Sequence, residues 1–327
     1  HAVSRDLFHW TELPAPFVYQ RNSPSGSGWL ERSTGDSCIA FGGCIYRSTD
    51  GGNWYEPWQT DTINGDPKVF YHDRSGHYVC VRGVQYPADV LHAPLEEFEN
   101  AIFVSEDLRT WRKTQDVRGI HECPDLFPVR VVETGEEKWI LTGADNAYWI
   151  GEFDGERFTS DSTPDSRPDV YESVFGRLKD ATDKYNGQYS FGQDVWNGKS
   201  YAGQVFNDLP DGRVIRMLWN FTTFQPEADF TQCMTVPQEL TLRQTSTGLR
   251  LCAMPVREIR GLYGQVKQWS VEEDIRVSVP GEAFDVSLTM GTGQRATVDG
   301  FVFAVDADSG FLRITHPLGF SRLLPYA

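Results

Sequence analysis

A seven-residue pattern, Ser-x-Asp-x-x-x-Trp, occurs three times and limits the possible folds more than any other feature of the sequence. A fourth, degenerate copy keeps the aspartate and ends in phenylalanine. By subtraction of their residue numbers, the four aspartates are separated by 44, 57 and 47 residues. Self-similarity at such a spacing is typical of a repeat architecture. The copies occupy residues 4–10, 48–54, 105–111 and 151–158.

Each copy follows a β-rich run and fits a turn between two strands. A turn aspartate accepts hydrogen bonds from the backbone amides just beyond it, while the aromatic residue returns to the core. Between the copies lie short apolar runs broken by Gly, Pro, Asn and Asp, at residues 68–71, 78–81, 139–142 and 214–219. About four short strands per repeat predict a β-propeller, whereas a β-sandwich would lack this regular turn.

The repeat pattern of the sequence ends at about residue 262. Strand-like runs at residues 285–289, 301–305 and 311–314 no longer carry the aspartate turn. We interpret residues 261–269 as a linker, and the remainder as an all-β unit too short for a complete sandwich. The predicted domains are therefore a propeller over residues 1–262 and a truncated β-sandwich over residues 263–327.

Composition narrows the possible functions. The chain is 39% hydrophobic and 23% charged, which excludes disordered, collagen-like and coiled-coil proteins. No apolar run approaches the roughly 18 residues that cross a bilayer, so we expect no membrane partner. A net charge of −16 argues against nucleic acid and suits a neutral substrate. The six cysteines lack zinc-binding spacing, so we expect mostly buried free thiols and neither a metal nor another cofactor.

Two carboxylates stand where a propeller would hold a ligand. Asp66 and Glu122 each come shortly before a proline and a strand-like run, 56 residues apart. This spacing predicts equivalent positions in neighbouring blades, with both side chains facing the propeller axis. Two carboxylates that converge in a pocket are what glycosidic-bond cleavage requires. The alternative is that each carboxylate only caps a turn.

Four ordered motifs resemble those of glycoside hydrolase family 32, which contains invertases, levanases, inulinases and related fructosyl transferases. One of them, Glu122-Cys123-Pro124-Asp125-Leu126-Phe127, resembles the Glu-Cys-Pro-Asp-Leu-Phe motif of that family. The other three lie at residues 1–10, 234–242 and 255–259. The resemblance implies a five-bladed β-propeller, here with an incomplete first blade, followed by the start of a C-terminal β-sandwich.

The resemblance also assigns roles to individual residues. Glu122 would be the general acid/base, and Cys123 would help to set its environment. Asp66 would stabilise the transition state through the fructose hydroxyls. Asp125, and Asp36 within the best counterpart of a Ser-Gly-Ser tract, would bind substrate. The implied mechanism is retaining, with a covalent fructosyl-enzyme intermediate.

The sequence departs from the family pattern at two points. The family's nucleophile is an aspartate in an Asn-Asp-Pro-x-Gly motif that precedes the stretch matched by residues 1–10. We therefore expect a fragment truncated at both ends and incompetent in hydrolysis by itself. In addition, the arginine before Asp66 is replaced by Gly65, which removes a charged donor from the sugar site. Restoring it by Gly65→Arg is predicted to tighten binding of a terminal fructose.

The leading hypothesis is a retaining β-fructofuranosidase that cleaves fructosyl linkages in sucrose, levan or inulin-like substrates. The partner would be a fructose-containing oligosaccharide or polysaccharide. A fructosyl transferase on the same scaffold remains open, as does a carbohydrate-binding propeller without catalysis. The substitution at Gly65 favours the non-catalytic alternative.

Overall fold

The structure is a computed structural model that divides the chain into two compact units, His1–Val256 and Arg257–Ala327. The predicted boundary follows residue 262, where the repeat pattern ends, and so lies later than the boundary between these two units. The described residues are 2–14, 25–55, 57–60, 62–88, 97–144, 146–160, 189–190, 200–220, 232–245, 248–264, 268, 286–306, 311–315 and 321–325.

Among the described residues, the first unit forms five antiparallel sheets. The first three contain β1 (Ala2–Ser4) and β2 (Trp10–Glu12); β3 (Gly26–Leu30), β4 (Ser37–Phe41), β5 (Cys44–Ser48) and β6 (Trp58–Gln59); and β7 (Lys68–His72), β8 (His77–Gln85), β9 (Glu99–Ser105) and β10 (Arg112–Arg118). The other two contain β11 (Asp125–Arg130), β12 (Glu137–Thr142), β13 (Ala147–Phe153), β14 (Phe158–Ser160) and β15 (Tyr189–Ser190); and β16 (Ser200–Val205), β17 (Val214–Asn220), β18 (Cys233–Met234), β19 (Gln238–Thr245) and β20 (Gly248–Pro255).

The aspartate part of the predicted turn is confirmed in all four copies, whereas the aromatic residue is buried only as Phe158 and is exposed as Trp10. In each, the aspartate Oδ1 accepts hydrogen bonds from the amides two and three residues later, at 2.7–3.0 Å. The residue after the aspartate takes a left-handed conformation, with φ between 61° and 106°. Three copies join the third and fourth strands of a four-stranded meander, and the first joins β1 to β2. The aspartates are Asp6, Asp50, Asp107 and Asp154.

The first strands of the meanders, β3, β7, β11 and β16, lie side by side. Ser27 Oγ of β3 accepts a hydrogen bond from the Val69 amide of β7 at 2.9 Å. Lys68 Nζ at the start of β7 lies 3.1 Å from Asp125 Oδ1 at the start of β11, and both side chains are fully buried. Lys68 also donates to the Val205 carbonyl at 2.7 Å, while the Val205 amide donates to Asp125 at 2.7 Å. These contacts arrange the sheets as propeller blades around their inner strands.

The hydrophobic core lies between successive blades. Strand residues alternate between the two faces of a sheet, so each inner blade packs an apolar face on both neighbours. Between the blades that begin with β7 and β11, for example, the Trp139 ring packs 5.6 Å from Phe70 and 4.9 Å from Phe153, centroid to centroid. Similar clusters fill the two adjacent interfaces.

The second unit begins with a 3₁₀ helix, Arg257–Leu262, where the sequence predicted the end of the propeller. It continues with a four-stranded antiparallel sheet of β21 (Arg295–Val298), β22 (Phe301–Val305), β23 (Phe311–Thr315) and β24 (Ser321–Pro325). The strand predicted at residues 285–289 is wrong, since residues 286–289 form no strand and pair with none of the described strands. The alternating residues Val286 and Leu288 are instead largely exposed.

All six cysteines are free, and three of them, Cys38, Cys80 and Cys123, are buried. Over the part of the chain that the structure describes, no helix has the length and apolar character needed to cross a membrane.

Candidate active site

Two turns at the start of neighbouring inner strands carry the predicted carboxylates. Asp66 and Cys123 directly precede Pro67 and Pro124, and both adopt left-handed backbone conformations, with φ of 55° and 52°. A left-handed L-residue costs about 1–2 kcal/mol, and a following proline restricts its backbone further. Strain held at two adjacent positions is typical of a functional site.

The two turns correct the predicted equivalence of Asp66 and Glu122. Asp66 corresponds to Cys123, since each has a positive φ and precedes a proline. Glu122 therefore corresponds to Gly65, one residue earlier in the neighbouring blade. The spacing of 56 residues was one residue short of the structural repeat.

The Cys123 thiol joins three of the blades. It donates a hydrogen bond to the Asp66 carboxylate and accepts one from Ser25, which directly precedes β3. Burial raises the pKa of the Cys123 thiol, and the negative charges of Asp66 and Glu122 raise it further. The thiol therefore stays protonated and acts as a donor to Asp66. Asp66 and Glu122 themselves are only half-buried, so both remain within reach of a ligand.

Tyr86 covers the same cluster from the end of β8. Its hydroxyl lies 3.4 Å from the Gly65 carbonyl and also hydrogen-bonds to the backbone of Cys123. Burial raises the pKa of the Tyr86 hydroxyl, and the nearby charges of Asp66 and Glu122 add to the rise. Tyr86 is thus a neutral hydroxyl near both carboxylates.

Glu122 is held by its side chain and by its backbone. Tyr201 Oη in β16 donates to Glu122 Oε1 at 2.6 Å. The Glu122 carbonyl accepts a hydrogen bond from the Ala144 amide at 2.7 Å. Tyr201 Oη also lies 3.0 Å from Nδ1 of the fully buried His121.

The carboxylates of the other two predicted site residues, Asp125 and Asp36, are engaged by structural ion pairs. Asp125 is fully buried and is bound by Lys68 and the Val205 amide, so its carboxylate fastens inner strands together. Asp36 lies in the turn after β3, at the opposite end of that inner strand from Ser25, and its carboxylate pairs with Arg47 Nε at 2.5 Å. The structure does not bring Asp36 together with the cluster.

The counterpart of the Ser-Gly-Ser tract is corrected by this geometry. Sequence analysis assigned it to residues 34–36, although Ser25-Gly26-Ser27 reads Ser-Gly-Ser directly. Ser25 contacts Cys123, and Ser27 Oγ bonds the Val69 amide of the next inner strand. The signal for Ser25 was therefore present in the sequence and was overlooked.

Gly65 has a steric role that the sequence did not reveal. Its φ is +72°, and a Cβ atom at this position would lie 2.5 Å from the Gly83 carbonyl oxygen. Gly83 in turn donates its amide to the Gly65 carbonyl at 2.7 Å. The Gly65→Arg substitution therefore forces the backbone beside Asp66 to move, and it does not test sugar binding cleanly.

Within the described ranges, no cluster of three or more His, Cys, Asp or Glu side chains is arranged to hold a metal ion. The chemistry open to this site is that of two reachable carboxylates, a protonated thiol and tyrosine hydroxyls. Such a set can exchange protons and stabilise positive charge on a bound ligand.

The chain is similar to known proteins in both sequence and structure. A profile for the glycosyl hydrolases family 32 N-terminal domain matches residues 44–255. The levanase of Bacillus sp. strain L7 is 24% identical, over 95% of this chain and 37% of that protein. The extracellular exo-inulinase of Aspergillus niger is 24% identical, over 80% of this chain and 48% of that protein. The chain thus spans less than half the length of these curated relatives.

Solved structures show the same fold. The β-fructofuranosidase of Bombyx mori matches 100% of this chain and 72% of its own, with a TM-score of 0.58 and 16% identity. A fructose complex of the Schwanniomyces occidentalis fructofuranosidase matches 78% of this chain and 54% of its own, with a TM-score of 0.56 and 20% identity. The first unit is a five-bladed β-propeller in which β1 and β2 represent the first blade, and the start of a β-sandwich follows it. Because the family profile matches well over half of its residues, the chain belongs to glycosyl hydrolases family 32.

Proposed function

We propose that the protein is a retaining fructosyl hydrolase of the β-fructofuranosidase type, acting on sucrose, levan or inulin-like substrates. The observation that carries this proposal is the cluster of Asp66, Cys123 and Glu122 at the starts of adjacent inner strands. The levanases and inulinases among its relatives support the substrate class.

Glu122 is the general acid/base in this proposal. Its half-buried carboxyl group protonates the leaving oxygen while a carboxylate nucleophile, which in the family comes from the Asn-Asp-Pro-x-Gly motif, takes the fructosyl group. Glu122 then accepts a proton from the water that releases fructose from the nucleophile. The hydrogen bond from Tyr201 occupies Oε1 and leaves Oε2 for the reacting oxygen. Positioned acid/base groups contribute about 10²- to 10⁴-fold to the rate.

Asp66 stabilises the transition state. The Asp66 carboxylate accepts a hydrogen bond from the Cys123 thiol of the next blade. The thiol hydrogen bond fixes one carboxylate oxygen, and the remaining lone pairs are available to sugar hydroxyls. Hydrogen bonds that strengthen as the ring becomes oxocarbenium-like supply several kcal/mol in glycosidases.

The proposal is tested by measuring reducing-sugar release from sucrose, inulin and levan by a form of the protein that includes the family's Asn-Asp-Pro-x-Gly motif, which supplies the nucleophile of a retaining mechanism. The Glu122→Gln variant keeps the shape of the side chain but cannot exchange the proton, so its rate falls by about 10²- to 10⁴-fold. Glu106→Gln, on an exposed turn residue, is the matched control and keeps the parent rate. Equal rates for the Glu122→Gln variant and the parent protein contradict the acid/base assignment.

A carbohydrate-binding propeller without catalysis is the second candidate. The observation that favours it is Gly65, which leaves no arginine beside Asp66 and is held against Gly83. Saturable fructose binding by calorimetry, combined with no release of sugar from any of the three substrates, supports this alternative. A transferase differs from both, because it releases more glucose than fructose from sucrose.

A further inference from the structure

A chain of hydrogen bonds reaches Glu122 from the interior of the protein. His121 Nδ1 lies 3.0 Å from Tyr201 Oη, and Tyr201 Oη lies 2.6 Å from Glu122 Oε1. His121 has no exposed surface, and Tyr201 is buried as well. His121 directly precedes Glu122 in sequence, whereas Tyr201 lies in β16, which belongs to another blade.

We propose that His121, acting through the Tyr201 hydroxyl, is a positioning residue for the Glu122 carboxyl group. This inference rests on the proposed role of Glu122 as acid/base. A tyrosine hydroxyl has one proton to donate. When that proton goes to Glu122, the oxygen of Tyr201 acts as the acceptor in its contact with His121, so Nδ1 of His121 must carry a hydrogen.

The surroundings fix both partners. The His121 ring stacks on Phe98 with centroids 4.2 Å apart. On either side of Tyr201, the Ser200 carbonyl accepts from Asn146 Nδ2 at 2.8 Å, and the Ala202 amide donates to Ala144 at 3.0 Å. Because Ala144 also binds the Glu122 carbonyl, one loop holds the backbones of both Glu122 and Tyr201.

The direction of the hydrogen bond has a chemical consequence. A carboxylate oxygen only accepts hydrogen bonds, so the Tyr201 proton points to Glu122 Oε1 and fixes the position of that oxygen. Three other titratable groups face this region: the Cys123 thiol, Asp66 before β7, and Tyr86 after β8. The Tyr201 hydroxyl is distinguished from them by a direct hydrogen bond to a Glu122 oxygen.

The test is made by NMR on the whole chain, so it does not depend on turnover. The ¹⁵N spectrum of labelled histidine reports the tautomer of His121, and the His121→Asn variant identifies its signals. We expect the hydrogen on Nδ1. A hydrogen on Nε2 with an unprotonated Nδ1 overturns the proposal, because the Tyr201 proton would then go to His121.

The second measurement follows the ¹³C chemical shift of the Glu122 carboxyl carbon at one fixed pH, with the signal identified by its loss in Glu122→Gln. Tyr201→Phe removes the hydrogen-bond donor and therefore moves this chemical shift. His121→Phe keeps the ring stacked on Phe98 and moves the chemical shift less, in the same direction. His121→Asn, which keeps a donor, stays near the parent value.

The double variant separates a positioning role from a packing role. Because His121 acts through Tyr201, adding His121→Phe to Tyr201→Phe causes no further change in the Glu122 carboxyl chemical shift. Additive changes, or an unchanged chemical shift in Tyr201→Phe, overturn the proposal. Hydrolysis by Glu122→Gln at the parent rate would instead refute the proposed function, whatever the NMR shows.

Discussion

Replacing Gly65 by alanine should destabilise the first unit through a collision that a matched glycine does not suffer. Gly65 and Gly35 have nearly the same backbone conformation, with φ of +72° and +76°. A Cβ atom on Gly35 meets nothing within 4 Å, whereas one on Gly65 lies 2.5 Å from the Gly83 oxygen. The two variants therefore share the conformational cost and differ in the steric one.

The magnitude follows from these two terms. An L-residue in the left-handed region costs about 1–2 kcal/mol, which applies to both variants. Forcing an extra methyl group into a packed site costs a further 1–3 kcal/mol or so. Gly83 cannot simply retreat, because its amide is bonded to the Gly65 carbonyl and Tyr86 packs against it. We expect a loss of about 2–5 kcal/mol for Gly65→Ala and about 1–2 kcal/mol for Gly35→Ala.

Urea unfolding followed by tryptophan fluorescence compares the two variants in the same unit. The difference between their free energies of unfolding isolates the collision with Gly83, provided that the m-values agree. In a thermal scan, each kcal/mol corresponds to a change in Tm of about 2–4 °C for a unit of this size. Equal losses for Gly35→Ala and Gly65→Ala would refute the steric reasoning.

Three further predictions concern charge and thiol chemistry. Burial raises the pKa of Glu31, but hydrogen bonds, chiefly from side-chain and backbone groups of the following turn, outweigh it and lower the pKa to about 2 from 4.5. The stability that Glu31 contributes is therefore present above pH 4.5 and lost toward pH 2. Over that interval, the difference in urea midpoint between the parent and Glu31→Gln shrinks. A difference that stays constant contradicts this prediction. Burial raises the pKa of the Cys38 thiol to about 12, so a thiol reagent at pH 8 modifies the exposed Cys233 before Cys38. Equal modification rates of the two cysteines, followed by mass spectrometry, would refute this prediction. Lys68→Met leaves Asp125 buried without its cation and lowers the free energy of unfolding in urea by about 3–5 kcal/mol. Adding Asp125→Leu removes the unpaired charge and recovers part of this loss. A double variant no more stable than Lys68→Met argues against the ion pair.

The repeat turn was predictable because all of its contacts are local. The amide donors of Asp50, for example, lie two and three residues along the chain, so the sequence pattern contains the whole motif. The strand at β22 was predictable for a different reason, since its apolar run is continuous over five residues. The strand predicted at residues 285–289 lacked this support, since a strand needs a partner that no local pattern supplies.

The site was less predictable because its contacts are distant in sequence. Glu122 was found through its own motif, but Tyr201, which hydrogen-bonds to it, lies 79 residues away. Asp125 belongs to the same motif as Glu122, yet the alternation of a strand turns it toward Lys68 and the interior. Asp36 was predicted to bind substrate because residues 34–36 resemble the Ser-Gly-Ser tract in composition. These residues follow β3, whereas Ser25, which contacts Cys123, precedes it.

The buried contacts of Lys68 also bear on how the chain folds as it is synthesised. Asp125 and Val205 follow Lys68 on the ribosome, and the bond from Lys68 to Val205 spans 137 residues. A blade formed early would have to bury an ammonium group without all of its partners, which is costly. We therefore expect the inner strands to close only after β16 has emerged, because Lys68 then has all of its partners. Pulse-labelled hydrogen exchange on stalled nascent chains would show protection at β7 appearing only in chains that extend past Val205.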